Sequence, residues 1–283
     1  MNYRHAFHAG NFADVLKHIV LCRVLLHLRA KPTAFRVIDT HAGGGLYDLA
    51  GPEASRSGEW REGIGRLRAA KVTGEAAALL APYLDAVTAC NPGAELIRYP
   101  GSAALARTFL RPQDRLVACE IVPEATASLG RSLARDARCK VLRLDGWTAL
   151  RAQVPPKERR GIVLVDPPFE QADDFVRLRD GVAAAHRKWA TGVFVLWYPV
   201  KDRTGPDALA KGLLRNGVTK SLRVELTAGA PAVVGRLHRC GLIVINPPWT
   251  LERELSVLLP TLTEGLSSGR SGAFRLDSLG SER

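Results

Sequence analysis

The stretch that decides the fold is Gly161-Ile-Val-Leu-Val-Asp-Pro-Pro-Phe-Glu170, an apolar run that stops at an acid, two prolines and an aromatic ring. Its continuous β-branched hydrophobicity predicts a strand buried on both faces of a parallel sheet. In such sheets ligands bind beyond the carboxyl ends of the strands. We therefore expect Asp166 to point into a crevice, because Pro167 and Pro168 cannot join a sheet ladder and must end the strand.

The residues after this strand suit an exocyclic amino group on a planar base. The lone pair of such a nitrogen is delocalised into the ring, so acceptors must localise it before it can attack an electrophile. Asp166 and the carbonyl of Pro167 are candidate acceptors, and Phe169 offers a stacking face. The tetrapeptide resembles the Asp/Asn/Ser-Pro-Pro-Tyr/Phe/Trp motif of amino-directed methyltransferases. The alternative interpretation of the same residues is a core strand that is ended by prolines, with Asp166 exposed to solvent.

Length and composition are those of one globular domain over residues 1–283, with 46% hydrophobic residues. The first residues hold no apolar signal segment, and Arg23 and His27 interrupt the longest apolar stretch. We therefore expect a cytoplasmic protein with no membrane segment.

Five scattered cysteines without Cys-x-x-Cys spacing favour buried thiols over disulfides or structural zinc.

The formal net charge of +12 and the pI near 9.9 indicate an anionic partner. Nucleic acid is the first candidate, because Lys and Arg neutralise phosphates. A solvated basic surface with no ligand is the alternative. Two clusters carry much of the excess: Arg151, Lys157, Arg159 and Arg160 before the Asp166 strand, and Arg131, Arg135, Arg138, Lys140 and Arg143 around the preceding one.

Strands and helices alternate along the chain, which predicts an α/β, Rossmann-like fold with a mostly parallel sheet and helices on both faces. Three predicted strands end in an acid, namely Asp39, Glu120 and Asp145. Residues 221–226 and 241–249 have no long helix between them and predict a terminal antiparallel hairpin. The predicted parallel strands are residues 34–39, 116–120, 141–145, 162–165 and 192–199.

A glycine-rich loop, Thr40-His-Ala-Gly-Gly-Gly-Leu46, follows the first strand. Such a loop lets backbone approach a ligand closely, and the carboxylates of Glu120 and Asp145 could accept hydrogen bonds from a ribose and an adenine amino group. The loop is not a strict Gly-x-Gly-x-x-Gly fingerprint. A plain turn and ordinary carboxylates at strand ends are the alternatives.

The N-terminal region predicts an amphipathic helix over residues 12–30, with Asn11 as its cap and Asp14 in a variant of the capping box. Residues just before this helix could fold over the mouth of the pocket. The predicted RNA contacts are Tyr3, Arg4, His5 and Lys17. A frayed end is the alternative. Histidine spacing here fits no standard zinc signature, so we expect no metal.

Three further segments have separate interpretations. Residues from about 49 to 100 carry Gly and Pro between helical stretches and predict a small helical insertion. Asn246-Pro-Pro-Trp249 is a second copy of the motif, but we expect it to lie in the hairpin at one side, which leaves Asp166 as the catalytic copy. The tail from about residue 264 to 283, with a short strand predicted at 273–276, has no assigned role.

Taken together, the motifs resemble class I S-adenosylmethionine-dependent methyltransferases over nearly the whole chain. They are closest to the bacterial 23S ribosomal RNA adenine-N6 methyltransferase family of the J type. The most specific motif is Tyr3-Arg-His-x-Phe-His-Ala-Gly-Asn-x-Ala-Asp-Val-Leu-Lys-His18. The others are Asp39-Thr-His-Ala-Gly, Tyr99-Pro-Gly-Ser102, Asp145-Gly146, Asp166-Pro-Pro, Leu196-Trp-Tyr-Pro199 and Asn246-Pro-Pro-Trp249.

The resemblance implies that S-adenosylmethionine is the cofactor and that Asp166 is the catalytic residue. The implied cofactor contacts are His18, His41, Gly43, Ser102, Glu120, Asp145, Gly146 and Asp166. The implied reaction is methyl transfer to the N6 atom of one adenine in 23S ribosomal RNA, adenine 2030 by family. We expect a monomer that acts on free RNA or an early assembly particle. A DNA adenine-N6 methyltransferase and a non-catalytic basic RNA-binding factor are the alternatives.

Overall fold

The computed structural model describes residues 4–229, 236–267 and 271–280. The strands are β1 (Arg36–Asp39), β2 (Leu46–Asp48), β3 (Arg98–Pro100), β4 (Arg115–Glu120), β5 (Cys139–Arg143), β6 (Gly161–Val165), β7 (Val193–Pro199), β8 (Ser221–Thr227), β9 (Arg239–Ile245) and β10 (Ala273–Leu279). The helices are α1 (Phe12–Arg29), α2 (Pro52–Ser57), α3 (Arg66–Ala69), α4 (Gly74–Ala89), α5 (Ser102–Thr108), α6 (Pro123–Ser132), α7 (Gly146–Ala152), α8 (Asp174–Lys188), α9 (Thr204–Arg215) and α10 (Leu251–Leu266).

Eight of the strands form one sheet in the order β10-β8-β9-β7-β6-β1-β4-β5. The five strands from β7 to β5 in this order run parallel, whereas β9 is antiparallel to both β7 and β8. The predicted α/β fold with a mostly parallel sheet and a terminal antiparallel hairpin is confirmed. The predicted third strand begins and ends two residues earlier than expected.

Strand β6 lies near the middle of the sheet, between β1 and β7, and all five of its residues are buried. Its apolar side chains pack on both faces, as a strand covered by helices requires. Asp166 follows at the carboxyl end, beside the end of β1, where Asp39 is in register with Leu164. The β1 and β6 ends therefore meet at one point of the sheet edge.

Helix α1 differs from the expected amphipathic helix, because nearly all of its residues are buried. A helix that is apolar on most sides is one that the rest of the protein covers. The Asn11 side chain caps it as predicted, accepting from the backbone N–H groups of Ala13 and Asp14. The carboxylate of Asp14 reaches back to Gly10 N at 2.9 Å, one residue beyond the usual capping-box partner.

The chain between β1 and β4 forms α2 to α5, a π turn at Arg61–Gly65 and a small antiparallel pair of β2 and β3. The α4 side chains Leu80, Tyr83 and Val87 join the same apolar core as α1 and α10. At the other end of the chain, β10 pairs with β8 over seven residues and becomes an edge strand, longer than the one predicted. No helix in the described ranges combines the length and hydrophobicity needed to cross a bilayer.

Candidate active site

The carboxyl ends of four adjacent parallel strands meet at one edge of the sheet, which we call the catalytic edge. In register, Asp39 of β1 lies opposite Ala118 of β4 and Leu164 of β6. Glu120 ends β4, and its carbonyl accepts from Leu144 N, next to Asp145. Because these pairings are fixed by the sheet, the four strand-end acids Asp39, Glu120, Asp145 and Asp166 lie along this edge.

Glu120 holds the glycine-rich loop in place. Its carboxylate accepts from Gly43 N at 3.0 Å and from Val122 N at 2.8 Å. Gly43 has φ +61°, and a Cβ atom there would lie 2.2 Å from the Tyr47 hydroxyl oxygen. Only glycine suits this position, so the loop backbone is fixed against the end of β4.

The loop after β5 packs against the loop after β1. Asp145 is the N-cap of α7 and accepts from Thr148 N at 2.8 Å. A Cβ atom on Gly146 would lie 2.3 Å from His41 Nε2, so the close approach requires glycine. Burial lowers the pKa of His41 to about 4, which keeps its ring neutral. These expected cofactor contacts therefore lie in one place.

Ser102, an expected cofactor contact, is the first residue of α5 and binds Asp39. Its hydroxyl donates to Asp39 Oδ2 at 2.6 Å, and the cap position of α5 is Gly101. Burial raises the pKa of Asp39 to about 6. Asp39 Oδ1 has no hydrogen-bond partner among the described residues. Sequence reasoning treated Asp39 only as the end of a strand.

His18 is a neutral, buried side chain on α1. Burial lowers its pKa to about 3, and its Nδ1 lies 2.7 Å from the hydroxyl of Tyr99. Its Nε2 has no partner in the described part of the chain. Buried polar atoms of this kind are normally satisfied, so His18 Nε2 and Asp39 Oδ1 fit a site that takes a polar ligand. With the glycine loop and strand-end acids, they suit an amino-acid-bearing nucleoside.

A cavity of about 260 Å³ opens beside Asp166. We call it the Asp166 cavity. Its wall is formed by the N-terminal segment, α1, the turn after β6, β7 and the segment before β9, together with Glu59 and Lys201. The lining residues are His5, His8, Asn11, Ala13, Asp14, Lys17, Glu59, Asp166, Pro168, Phe169, Trp197, Pro199, Lys201, Arg236 and Leu237.

Lys17, one of the predicted RNA contacts, lines the Asp166 cavity. The residue is 4% exposed, and its ammonium lies 2.5 Å from Asp166 Oδ2 and 2.8 Å from Asp14 Oδ1. Burial alone would lower the pKa of Lys17, but Asp14 and Asp166 raise it well above the usual value. A buried ammonium needs such counter-charges. Lys17 therefore positions the Asp166 carboxylate.

Phe169 forms part of an aromatic wall. Its backbone has φ +52°, a region uncommon for residues other than glycine. Its ring centroid lies 5.7 Å from that of Trp197 and 4.9 Å from that of Phe175. The half-buried Trp197 also lines the Asp166 cavity. Trp197 belongs to the motif Leu196-Trp-Tyr-Pro199, for which the sequence predicted no role.

The N-terminal segment lies at this cavity. His5 Nε2 is 2.9 Å from Asp14 Oδ2, and the His5 ring contacts Tyr47. Arg4 is exposed and reaches Glu53 at 3.7 Å. Tyr3, the remaining predicted RNA contact, lies outside the described residues. His5 and His8 line the Asp166 cavity, and the role of this segment as a lid stays a prediction.

The second motif copy lies at the opposite edge of the sheet. Because β9 is antiparallel to β7, Ile245 is in register with Phe194 near the start of β7. The Asn246 amide donates to the carbonyls of Ala190 and Gly192, each at 2.8 Å. Both N–H groups of this amide are therefore used in hydrogen bonds within the fold. We expected the second motif to lie at one side of the sheet, but it is the direction of β9 that separates the two motifs.

No cluster of three or more His, Cys, Asp or Glu side chains that could hold a metal ion occurs within the described residues. A wider groove between α10 and β10 has Glu264 as its one titratable lining residue in that part of the chain. The Asp166 cavity is therefore the candidate active site.

The parallel sheet, the glycine loop after its first strand, the acids at successive strand ends and the Asp-Pro-Pro-aromatic turn define a class I S-adenosylmethionine-dependent methyltransferase. The chain belongs to the ribosomal RNA large subunit methyltransferase J family. The family model described as "Ribosomal RNA large subunit methyltransferase D, RlmJ" matches residues 32–279.

Similar proteins match this chain over nearly their full length. The Ribosomal RNA large subunit methyltransferase J of Escherichia coli (strain K12) is 38% identical over 272 residues, 96% of each chain. The protein of the same name from Haemophilus influenzae is 38% identical over 278 residues, 98% of each. A crystal structure of a Legionella pneumophila protein superimposes with a TM-score of 0.87 at 32% identity, covering 96% of this chain and 98% of the other.

Proposed function

We propose that this chain transfers the methyl group of S-adenosylmethionine to the N6 amino group of an adenine in 23S ribosomal RNA, adenine 2030 by family resemblance. The observation that carries the proposal is the Asp166 carboxylate, held by the buried Lys17 in a cavity with the Phe169 ring. The names of the relatives support ribosomal RNA as the substrate.

The Asp166 cavity suits one base taken out of its stack. Its volume of about 260 Å³ is below the roughly 300–1,000 Å³ of pockets for drug-sized ligands. Flipping a base costs a few kcal/mol, which Phe169 would partly offset by stacking, worth roughly 1–3 kcal/mol per base. Unpaired adenine would enter at the lowest cost.

Asp166 would accept a hydrogen bond from the amino group and, with the Pro167 carbonyl, localise the nitrogen lone pair for direct in-line attack. The cofactor supplies an electrophilic methyl group on a sulfonium. The Asp166 carboxylate then stabilises the positive charge that forms on nitrogen, and the proton leaves afterwards. Because Lys17 already donates to Asp166, we do not assign this carboxylate as a full general base.

The test compares Asp166→Ala with Asn246→Ala, matched substitutions in the two motif copies. Asp166→Ala is expected to abolish methyl transfer with cofactor affinity nearly unchanged. Asn246→Ala should retain substantial activity but lose stability by about 1–3 kcal/mol, because it removes two hydrogen bonds of roughly 0.5–1.5 kcal/mol each. Turnover, cofactor calorimetry and unfolding of both variants decide it. An active Asp166 variant beside a folded but inactive Asn246 variant would reverse the assignment.

The nucleic acid is tested with matched RNA and DNA oligonucleotides that carry the same target. Transfer to RNA alone, at N6, is the expected result. Faster transfer to DNA would favour the DNA adenine methyltransferase, and cofactor binding without transfer to either would favour a non-catalytic factor.

A further inference from the structure

Most of the net positive charge of this protein lies at the edge of the sheet opposite Asp166. We call it the amino-terminal edge. It consists of the segments that precede the five parallel strands and β8, together with the turn that follows β9. These segments are residues 28–36, 111–115, 134–138, 151–160, 186–192, 216–220 and 246–250. These segments hold fourteen Lys and Arg against three Asp and Glu, an excess of eleven. The whole chain has an excess of twelve.

The three acids of this edge are already paired within it. Asp114 binds Arg111 at 2.8 Å, Asp136 binds Arg138 at 2.6 Å and Glu158 binds Arg36 at 2.9 Å. The remaining eleven cations have no carboxylate partner among the residues that the structure describes. A field of this size at one edge attracts a polyanion.

The catalytic edge has the opposite balance. The described loops that follow its strands, residues 40–45, 120–122, 144–145, 166–173, 200–203 and 236–238, hold six Asp and Glu against three Lys and Arg. The loops of the catalytic edge therefore cannot supply most of the contacts to RNA phosphates. Most members of the two basic clusters identified in the sequence lie at the amino-terminal edge of the sheet, which is the edge opposite Asp166.

An exposed aromatic side chain stands within the amino-terminal edge. Trp249 is 85% exposed, the most exposed large apolar side chain in the described ranges. Its turn is anchored by Asn246, whose backbone N–H donates to Lys220 O and whose amide binds the loop just after Arg187 and Lys188. The backbone of Lys220 and the loop that follows Arg187 and Lys188 thus contact the turn that carries Trp249. Stacking rings beside a basic track are the usual means of binding single-stranded nucleic acid.

We propose that the amino-terminal edge is a second RNA-binding surface, which holds a part of the substrate remote from the target adenine through phosphate contacts and stacking on Trp249. The proposal rests on the proposed RNA substrate. Strands of five to seven residues separate the edges by roughly 17–23 Å at 3.3 Å per residue. A short RNA at the Asp166 cavity therefore does not reach Trp249, whereas a folded ribosomal RNA fragment does.

The test uses the triple variant Arg187→Gln/Lys188→Gln/Lys220→Gln, in which three exposed cations beside Trp249 are neutralised. The matched control is Arg56→Gln/Arg68→Gln/Lys71→Gln, with the same charge change at exposed positions between β1 and β4. Each is assayed on a long 23S ribosomal RNA fragment and on a short oligonucleotide with the same target. Unfolding curves confirm that the variants are folded.

For the triple variant we expect KM for the long RNA to rise roughly tenfold, and the slope of log affinity against log salt to fall by about 2–3, as for three lost phosphate contacts. Its kcat, and its KM for the short RNA, should match those of the wild type. Trp249→Ala should raise KM for the long RNA alone, and Trp249→Phe should restore it.

Three results would overturn the proposal: an unchanged KM of the triple variant on the long RNA, an equal loss in the control, or an equal loss on the short RNA. Retained RNA affinity with lost binding to polyglutamate would assign the edge to an acidic protein partner. If the wild type methylates neither RNA, the proposed function fails instead, and direct titration with the long RNA still decides whether this edge binds it.

Discussion

The pKa values of two buried aspartates of the site, Asp14 and Asp39, are shifted in opposite directions, and the neighbours of each side chain explain the difference. Burial would raise the pKa of Asp14, but the charges of His5 and Lys17 bring it well below its usual range. For Asp39, burial dominates over the Ser102 hydrogen bond and raises the pKa to about 6. The first side chain is therefore kept as a carboxylate, and the second becomes protonated in mildly acid solution.

The raised pKa of Asp39 predicts a pH dependence of stability. Between about pH 4 and 6 the folded state holds a proton that the unfolded state has released, so stability falls as pH rises through this window, by about 3 kcal/mol for a shift of this size. Asp39→Asn should lack this loss, because the amide can still accept from Ser102 and carries no charge. Urea unfolding of both proteins from pH 4 to 7 measures it, and parallel curves would contradict the prediction.

At the scale of elements, the carboxyl ends of β4 and β5 each combine a structural role with a predicted role in cofactor binding. Asp145 caps α7 and is an expected cofactor contact. Asp145→Ala should weaken cofactor binding by about 1–3 kcal/mol and lower stability by about 1 kcal/mol, through loss of a ligand hydrogen bond and of the cap. Asp145→Ser, which can still cap, should show only the first effect.

Calorimetry with S-adenosylmethionine and thermal unfolding separate the two contributions. Glu120→Ala belongs in the same series, because it frees Gly43 N and should weaken cofactor binding by a similar amount. Unchanged cofactor affinity in all three variants would remove these strand ends from the cofactor site.

The segment before α1 predicts a second effect at this scale. Deleting residues 2–6 should severely reduce methylation of RNA and spare much of the cofactor affinity, because it opens the Asp166 cavity. The structure adds a stability cost, since Asp14 stays buried and loses His5. Arg4→Gln is the control for the stability cost alone, as its exposed pair with Glu53 contributes little to stability. Wild-type turnover of the truncated protein would rule out an N-terminal lid.

For the whole molecule, the separation of charge between the two edges predicts how binding responds to salt. RNA affinity should fall steeply, with a slope of about 0.7–0.9 in log affinity per phosphate contact. Cofactor affinity should change little, because the site that we assign to it is built from hydrogen bonds and short-range pairs. Titrations of both ligands across salt concentrations check this. A flat RNA slope would mean that the charge of +12 serves another purpose.

Local patterns in the sequence determined much of this molecule. A buried strand followed by Asp-Pro-Pro-Phe, a glycine loop after β1, acids at the ends of β1 and β4 and a capped α1 were all predicted from neighbouring residues. Each depends on backbone propensity, hydrophobic period or capping, which act over a few positions. The class of fold and the position of Asp166 at the carboxyl end of a buried strand followed from them.

Pairings between distant residues were decided by tertiary structure alone. Lys17 meets Asp166 across 149 positions and Ser102 meets Asp39 across 63, so neither contact has a local signature. Strand direction is equally non-local: antiparallel β9 puts Asn246 at the far edge, although its tetrapeptide resembles that of Asp166. The same topology gathers scattered cations around Trp249. Register and direction depend on which strands pair, and that is settled by burial of the whole sheet.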